Sequence, residues 1–336
     1  MFDRYQGEAE FAAQVVARAA ALGRRIQSGM VVAGIEKPDR SPVTVADFCA
    51  QALVAGLLLE RFPGEPLVAE ERSRLLRDAD GQGALDAVVR YLHTERPGAN
   101  RPEILDWIDA GAGKPADRFW TLDPIDGTAG FLRHEQWVVA LALIEQGQVV
   151  LGALACPHLN AGLHPDADGP GSVLLAARGS GAWIAPAGST DYRQLHTSDR
   201  RRPAQARVLG SVEPGHTDMH LMDRLLRRLD VQAPPIKMDS QAKYAMVAGG
   251  AGDMILRLLS PDRPDYREKI WDQAAGSLLV QEAGGRVTDL RGDALDFSTG
   301  SRLTANVGVL VSNGHLHAAA LAALEAEGAA GVGRGA

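Results

Sequence analysis

In the stretch Trp120-Thr-Leu-Asp-Pro-Ile-Asp-Gly-Thr128 an apolar run ends in two carboxylates, a proline, a glycine and a threonine. Pro124 fixes its own φ and has no N–H for a ladder, so the strand is expected to stop there and the chain to turn. Asp123 and Asp126, on either side of that bend, can then converge on one point. Gly127 has no Cβ and lets the backbone come close to a ligand. If a helix starts here, the N–H groups of Gly127 and Thr128 are donors suited to an anion. Two carboxylates for a hard cation beside donors for a phosphate make a metal-dependent phosphatase arrangement. The same residues also spell an Asp-Pro turn followed by an Asp-Gly turn, which is common in loops.

The elements that would position these groups can be read along the chain. Phe11, Val15, Leu22 and Ile26 recur at helical steps, which predicts an amphipathic helix over 8–30, followed by a polar loop with Lys37. Thr44 is a natural N-cap for a second helix that carries Asp47 in its first turn and stops before Pro63-Gly64. A carboxylate there is equally well explained as a partner of the helix dipole. Pro66-Leu-Val-Ala-Glu-Glu71 is a short strand ending in two acids, like the strand that ends at Asp123. Residues 73–117 look like an insertion with one helix (85–92) followed by a loop, without chemistry. The unbroken apolar run 138–144 predicts a strand covered on both faces, returning through Gln146-Gly147 as a strand over 149–156. Segments 173–177 and 181–184 form a hairpin in this reading. The shift to Pro, Gly, Ser, Thr and Arg over 186–206 marks a domain boundary, giving an N-terminal domain 1–195 and a C-terminal domain 196–327.

In the second half, a strand at 208–210 leads through a loop containing His216 to a helix over 219–229. Asp239-Ser240 should cap a helix with Gln241, Lys243 and Tyr244 in its first turn. A strand over 254–258 bears the outlying Arg257, and 260–267 is a surface loop. Trp271 is expected to open a helix with Asp272 in its first turn, and Gly284-Gly285 to end it. Strands at 287–288 and 307–311 and a helix over 315–324 follow, and the Gly/Ala tail 328–336 reads as disordered.

Composition limits the function classes. A net charge of -7 over 336 residues gives no general attraction to nucleic acid or to an anionic membrane. An anionic substrate must therefore rest on local cations and metal. The two cysteines, Cys49 and Cys156, lie far apart in apolar surroundings, which suits buried free thiols, and no zinc-type Cys/His spacing occurs. Without a signal peptide or a long apolar run, the expectation is a cytoplasmic protein with no membrane partner, and the sequence leaves its oligomeric state open.

Taken together, Asp47 in a Thr-x-x-Asp helix start, Glu70 in Ala-Glu-Glu, Asp-Pro-Ile-Asp-Gly-Thr at 123–128 and Trp-Asp at 271–272 resemble the inositol monophosphatase superfamily. Ser41-Pro-Val-Thr-Val-Ala-Asp47, Asp126-Gly-Thr-Ala-Gly-Phe-Leu-Arg133, Asp239-Ser-Gln-Ala-Lys-Tyr244 and Glu268-Lys-Ile-Trp-Asp272 are most similar to its 3'(2'),5'-bisphosphate nucleotidases. The resemblance covers roughly residues 10–315, apart from 73–117. It implies an α/β fold of layered αβαβα type, inhibition by lithium, and two or three Mg²⁺ ions on Glu70, Asp123, Asp126, Asp272 and the backbone oxygen of Ile125. Ligands that are all oxygen agree with magnesium. It further implies that Asp47 and Thr128 orient and deprotonate the attacking water, and that Gly127 and Thr128 hold the phosphate. His216, Ser240, Lys243, Arg257 and Asp272 would meet a small-molecule nucleotide. Ala129 stands where the family often has a lysine, which removes a positive charge beside the site. The implied reaction is hydrolysis of the 3'-phosphate of adenosine 3',5'-bisphosphate. The alternatives are an inositol phosphate phosphatase and a non-catalytic regulatory protein of the same fold.

Overall fold

A computed structural model of the chain describes residues 2–29, 35–36, 42–212 and 218–329. Helix α1 (Gln6–Gly29) turns Val15, Val16, Leu22 and Ile26 into a core that it shares with α2 (Val45–Arg61). Between them the short strands β1 (Ile35–Glu36) and β2 (Pro42–Val43) pair antiparallel. The start of α2 is fixed reciprocally. The Thr44 hydroxyl accepts the Ala46 N–H at 3.1 Å, and the Asp47 carboxylate accepts the Thr44 N–H at 2.8 Å and its O–H at 2.7 Å. This box satisfies donors that the helix leaves open and fixes the direction of Asp47.

The larger sheet takes seven strands in chain order: β3 (Leu67–Ala69), β4 (Arg118–Asp126), β5 (Val138–Glu145), β6 (Gln148–Cys156), β7 (Ser172–Ala177), β8 (Ala182–Pro186) and β9 (Arg193–Leu195). β3 is parallel to β4, and each later pair is antiparallel. A parallel pair needs a crossover, and the crossover here is helical: α3 (Arg74–Arg77), α4 (Gln82–Leu92) and α5 (Arg101–Ala110). The expected single helix with a following loop is thus corrected. Asn100 caps α5 in a box with Glu103, and Ile104, Leu105 and Ile108 are buried against the α1–α2 core. The proline and charges of its first turn hide that apolar face from a periodicity count.

β4 also departs from expectation, because Pro124 does not end it. The strand continues to Asp126, with a shift of register against β5 between Asp123 and Asp126. A bulge accommodates the proline, whose missing N–H removes no ladder bond there. The single-turn helix α6 (Thr128–Leu132) follows at once.

The smaller sheet has the order β11 (Ile236–Lys237), β10 (Val208–Gly210), β12 (Met254–Arg257), β14 (Val309–Ser312), β13 (Arg286–Thr288). Helices α7 (Met219–Arg228) and α10 (His317–Ala326) cover its outer face. Helices α8 (Ala242–Ala248) and α9 (Ala274–Glu282) fill the space between the two sheets, α9 packing on β5, β6 and β7 as well as on β13 and β14. The layers therefore run helix, sheet, helix, sheet, helix. The apolar β5 is buried on both faces, between α1 and α9, as its sequence predicts. Two helix starts lie later than expected. α8 begins at Ala242 with Gln241 at its N-cap, and α9 begins at Ala274, so Asp272 sits in the turn before the helix.

Candidate active site

Register explains how the first acids meet. Ala69 on β3 lies opposite Leu122 on β4, so Glu70 and Asp123 leave neighbouring parallel strands at the same level. The bulge then carries Asp126 past Pro124, and the Asp123 carboxylate accepts the Ile125 N–H at 3.1 Å. Thr128 opens α6 with its hydroxyl 3.1 Å from the Ile125 carbonyl oxygen and 3.4 Å from the Asp47 carboxylate, which is buried at the start of α2. The second half of the chain arrives from the other side. Asp126 accepts the Gln241 N–H at 2.6 Å, and Lys243 follows in the first turn of α8.

This approach sets glycine backbone against the Ser240 and Asp239 side chains. Gly127 has φ 90°, and a Cβ there would lie 3.0 Å from that of Ser240. Ser240 itself holds φ 63°, a conformation that a non-glycine residue keeps only where its surroundings impose it. A Cβ on Gly130 would lie 2.4 Å from the Gln136 carbonyl oxygen and 3.0 Å from the Asp239 carboxylate, which Arg133 also pairs.

The electrostatics follow from burial. The Asp123 carboxyl is held well above the usual carboxylate range, first by loss of water and then by the charges of Glu70, Asp126, Asp272 and Asp47. Asp272 is pushed up to about 8 by burial, with Glu70 and Asp126 adding to it. Asp126 is raised by burial and drawn back by Lys243, by the Gln241 N–H and by Arg257. The charges of Glu70 and Asp47 thus bear on the ionisation of Asp123, and those of Glu70 and Asp126 on that of Asp272, and an added cation would relieve that repulsion. No three His, Cys, Asp or Glu side chains among the described residues are drawn together tightly enough to hold an ion as they stand.

The predicted cations have partners of their own. Lys243 is buried, donates to the Met238 carbonyl at 3.0 Å, and has its pKa lowered to about 8 by burial and by Arg257. Arg257 pairs with the buried Glu268 at 2.8 Å. Glu268 also accepts the Gln273 side-chain amide at 2.8 Å. Lys269 stands 3.6 Å from Glu70 with its ammonium 5.1 Å from the centre of the Trp271 ring. His216, Lys37 and Ser41 lie outside the described residues. Sequence reasoning gave no role to Gln241, Glu268 or Lys269, although each stands inside a motif quoted for the family.

A sequence profile described as the inositol monophosphatase family matches residues 6–329. The chain belongs to the inositol monophosphatase family. Within that family it is similar to proteins named 3'(2'),5'-bisphosphate nucleotidase. One from Emericella nidulans is 38% identical over 335 residues, covering 92% of this chain and 94% of the relative. One from Oryza sativa is 38% identical over 340 residues, covering 96% and 94%. Solved structures share the fold. A Thermotoga maritima IMPase superposes with a TM-score of 0.65 at 21% identity, covering 95% of this chain and 96% of the other. An inositol monophosphatase from Anabaena gives 0.64 at 20% identity, covering 96% and 97%. The family fold is thus the αβαβα layering expected from the sequence. Among the described residues no helix is long and apolar enough to cross a membrane.

Proposed function

We propose that this chain is a Mg²⁺-dependent phosphomonoesterase that hydrolyses the 3'-phosphate of adenosine 3',5'-bisphosphate to AMP and phosphate. The carrying observation is the meeting of the β3 and β4 ends with the Trp271–Asp272 turn, which sets mutually repelling, buried carboxylates beside a Thr128–Asp47 pair. The choice of a nucleotide is supported by the names of relatives that align over nearly the whole chain. With it goes a division of labour, in which residues 1–195 carry most metal ligands and 196–327 the substrate contacts.

The family is metal-dependent. The donor set fits a hard cation: carboxylates of Glu70, Asp123, Asp126 and Asp272 with the Ile125 carbonyl, oxygen throughout. The proposal requires these carboxylates to draw in on binding. When bound, Mg²⁺ supplies positive charge that acidifies water and offsets charge developing on the leaving oxygen. The chain's own groups do the rest. The Thr128 hydroxyl donates to Asp47, which turns its lone pairs toward an incoming water and gives that water's proton a path to the carboxylate. The N–H groups of Gly127 and Thr128 receive the phosphate. Lys243 and Arg257 lie near enough to Asp126 to act on its charge, and with Ser240 and His216 they would meet the nucleotide.

Parallel turnover assays with Mg²⁺ on adenosine 3',5'-bisphosphate and inositol 1-phosphate test the reading. Preference for the bisphosphate is expected. Faster release of phosphate from the inositol ester would leave the metal chemistry standing and overturn the nucleotide assignment.

A further inference from the structure

We infer that Gln241 is a positioning residue that fixes the placement of Asp126 relative to Asp272. The inference rests on the metal reading above and adds a residue to it. Every polar group of Gln241 has a partner. Its backbone N–H donates to Asp126 at 2.6 Å, and its carbonyl accepts the Tyr244 N–H at 2.9 Å. Its side-chain amide donates to the Trp271 carbonyl at 3.0 Å, and its side-chain oxygen accepts the Gly276 N–H at 2.9 Å. The residue is 1% exposed, so these bonds are made away from competing water.

The Trp271 carbonyl belongs to the same peptide plane as the Asp272 N–H. Gln241 holds the oxygen end of that plane, and the Lys269 carbonyl accepts the N–H end at 3.3 Å. With both ends held, the plane that carries Asp272 cannot rotate freely, which restrains the backbone from which its carboxylate leaves. Gly276 lies in the first turn of α9, where N–H groups have no partner within the helix, and no side chain of the local chain caps that helix. The same amide therefore anchors the helix that follows Asp272. One residue thus binds the acid at the end of β4 through its backbone and the turn holding the other acid through its side chain. The left-handed Ser240 just before it aims that backbone N–H at Asp126.

A merely structural role, capping α9 from a distance, makes a different forecast. Two variants separate them. Gln241→Met keeps length and volume and removes both side-chain bonds. Gln241→Glu keeps an acceptor for Gly276 and removes the donor to Trp271. Mn²⁺ is titrated into metal-depleted protein and followed by electron paramagnetic resonance, with urea unfolding in chelator alongside. The expected result is Mn²⁺ binding weakened roughly tenfold to a hundredfold in Gln241→Met, the usual cost of removing a group that orients metal ligands, and by less in Gln241→Glu. Half-saturating Mg²⁺ for turnover should rise in step, while kcat at saturating Mg²⁺ is largely kept. Loss of unfolding stability with Mn²⁺ affinity within twofold of wild type in whichever variant folds would overturn the inference and leave the metal reading intact. A wild-type protein that binds no Mn²⁺ would overturn both.

Discussion

Replacing Asp272 by asparagine should make the metal-free protein more stable while abolishing its activity. The unfolded chain ionises this acid near 3.8, whereas burial, with Glu70 and Asp126 nearby, moves it to about 8 in the fold. A carboxyl raised on folding lends its stability at low pH. That contribution is complete below the unfolded value and is lost as pH rises toward the folded one. At pH 7 the gap from the unfolded value is about three units, and at 1.36 kcal/mol per unit the penalty is on the order of 4 kcal/mol. Part of it is shared with Asp123 and Asp126, so a gain of about 2–4 kcal/mol is expected for the asparagine variant. Urea unfolding in chelator from pH 4 to pH 8.5 would read it. Wild-type stability should fall across that window, and the variant's curve should be flatter and higher at the alkaline end. Added Mg²⁺ should stabilise the wild type by mass action and leave the variant almost unmoved. A variant that is less stable than wild type at pH 8 in chelator, or that parallels it across the range, would refute the reasoning.

Thr128→Ala should lower kcat far more than it raises KM, and Asp47→Asn should act alike with a double mutant little worse than either, because the hydroxyl and carboxylate work as one unit at 3.4 Å; fully multiplicative losses would separate them. Arg257→Ala should depress kcat/KM on adenosine 3',5'-bisphosphate by roughly tenfold to a hundredfold more than on adenosine 3'-monophosphate. It should also cost about 2–4 kcal/mol in urea unfolding, since the buried Glu268 loses its ion-pair partner; equal losses on the two substrates would make the arginine purely structural. Gly130→Ala should destabilise the protein by about 2 kcal/mol or more, because its Cβ would stand 2.4 Å from the Gln136 carbonyl oxygen, a backbone atom that can yield only by shifting the chain; wild-type unfolding behaviour would contradict the described packing of α6.

What the sequence disclosed, and what it withheld, follow a physical division. Features set within a few residues were readable: Thr44 as the cap of α2 with Asp47 in its first turn, the run that becomes β5, the Gln146-Gly147 turn and the acids at strand ends. The resemblance then gathered acids that spacing alone could not bring together. Other features depend on partners distant in the chain. Pro124 reads as a strand breaker, and only the pairing with β5 shows that a bulge can carry the strand past it. The α5 helix was read as a loop, because the few apolar residues of this short segment show a face only when they are seen buried on α2. Arg257 looks like a free cation in a strand, and its Glu268 partner appears only when β12 is placed beside the loop before α9. Gln241 carries no charge and no periodic signal, so nothing local marks it.

The contact of Gly127 with Ser240 and of Gly130 with Asp239 bears on how such a site can change over time. Side chains that separate two surfaces can be lengthened or shortened by single substitutions, and the gap between the surfaces drifts with them. Here glycine backbone lies directly against the Ser240 and Asp239 side chains, and a Cβ at either glycine would press into its neighbours. The seam is therefore a fixed ruler across which the acids of the first half face the residues of the second. Change in substrate preference is channelled away from it, into surface loops such as 260–267, where length and sequence can vary without altering the spacing of the chemistry.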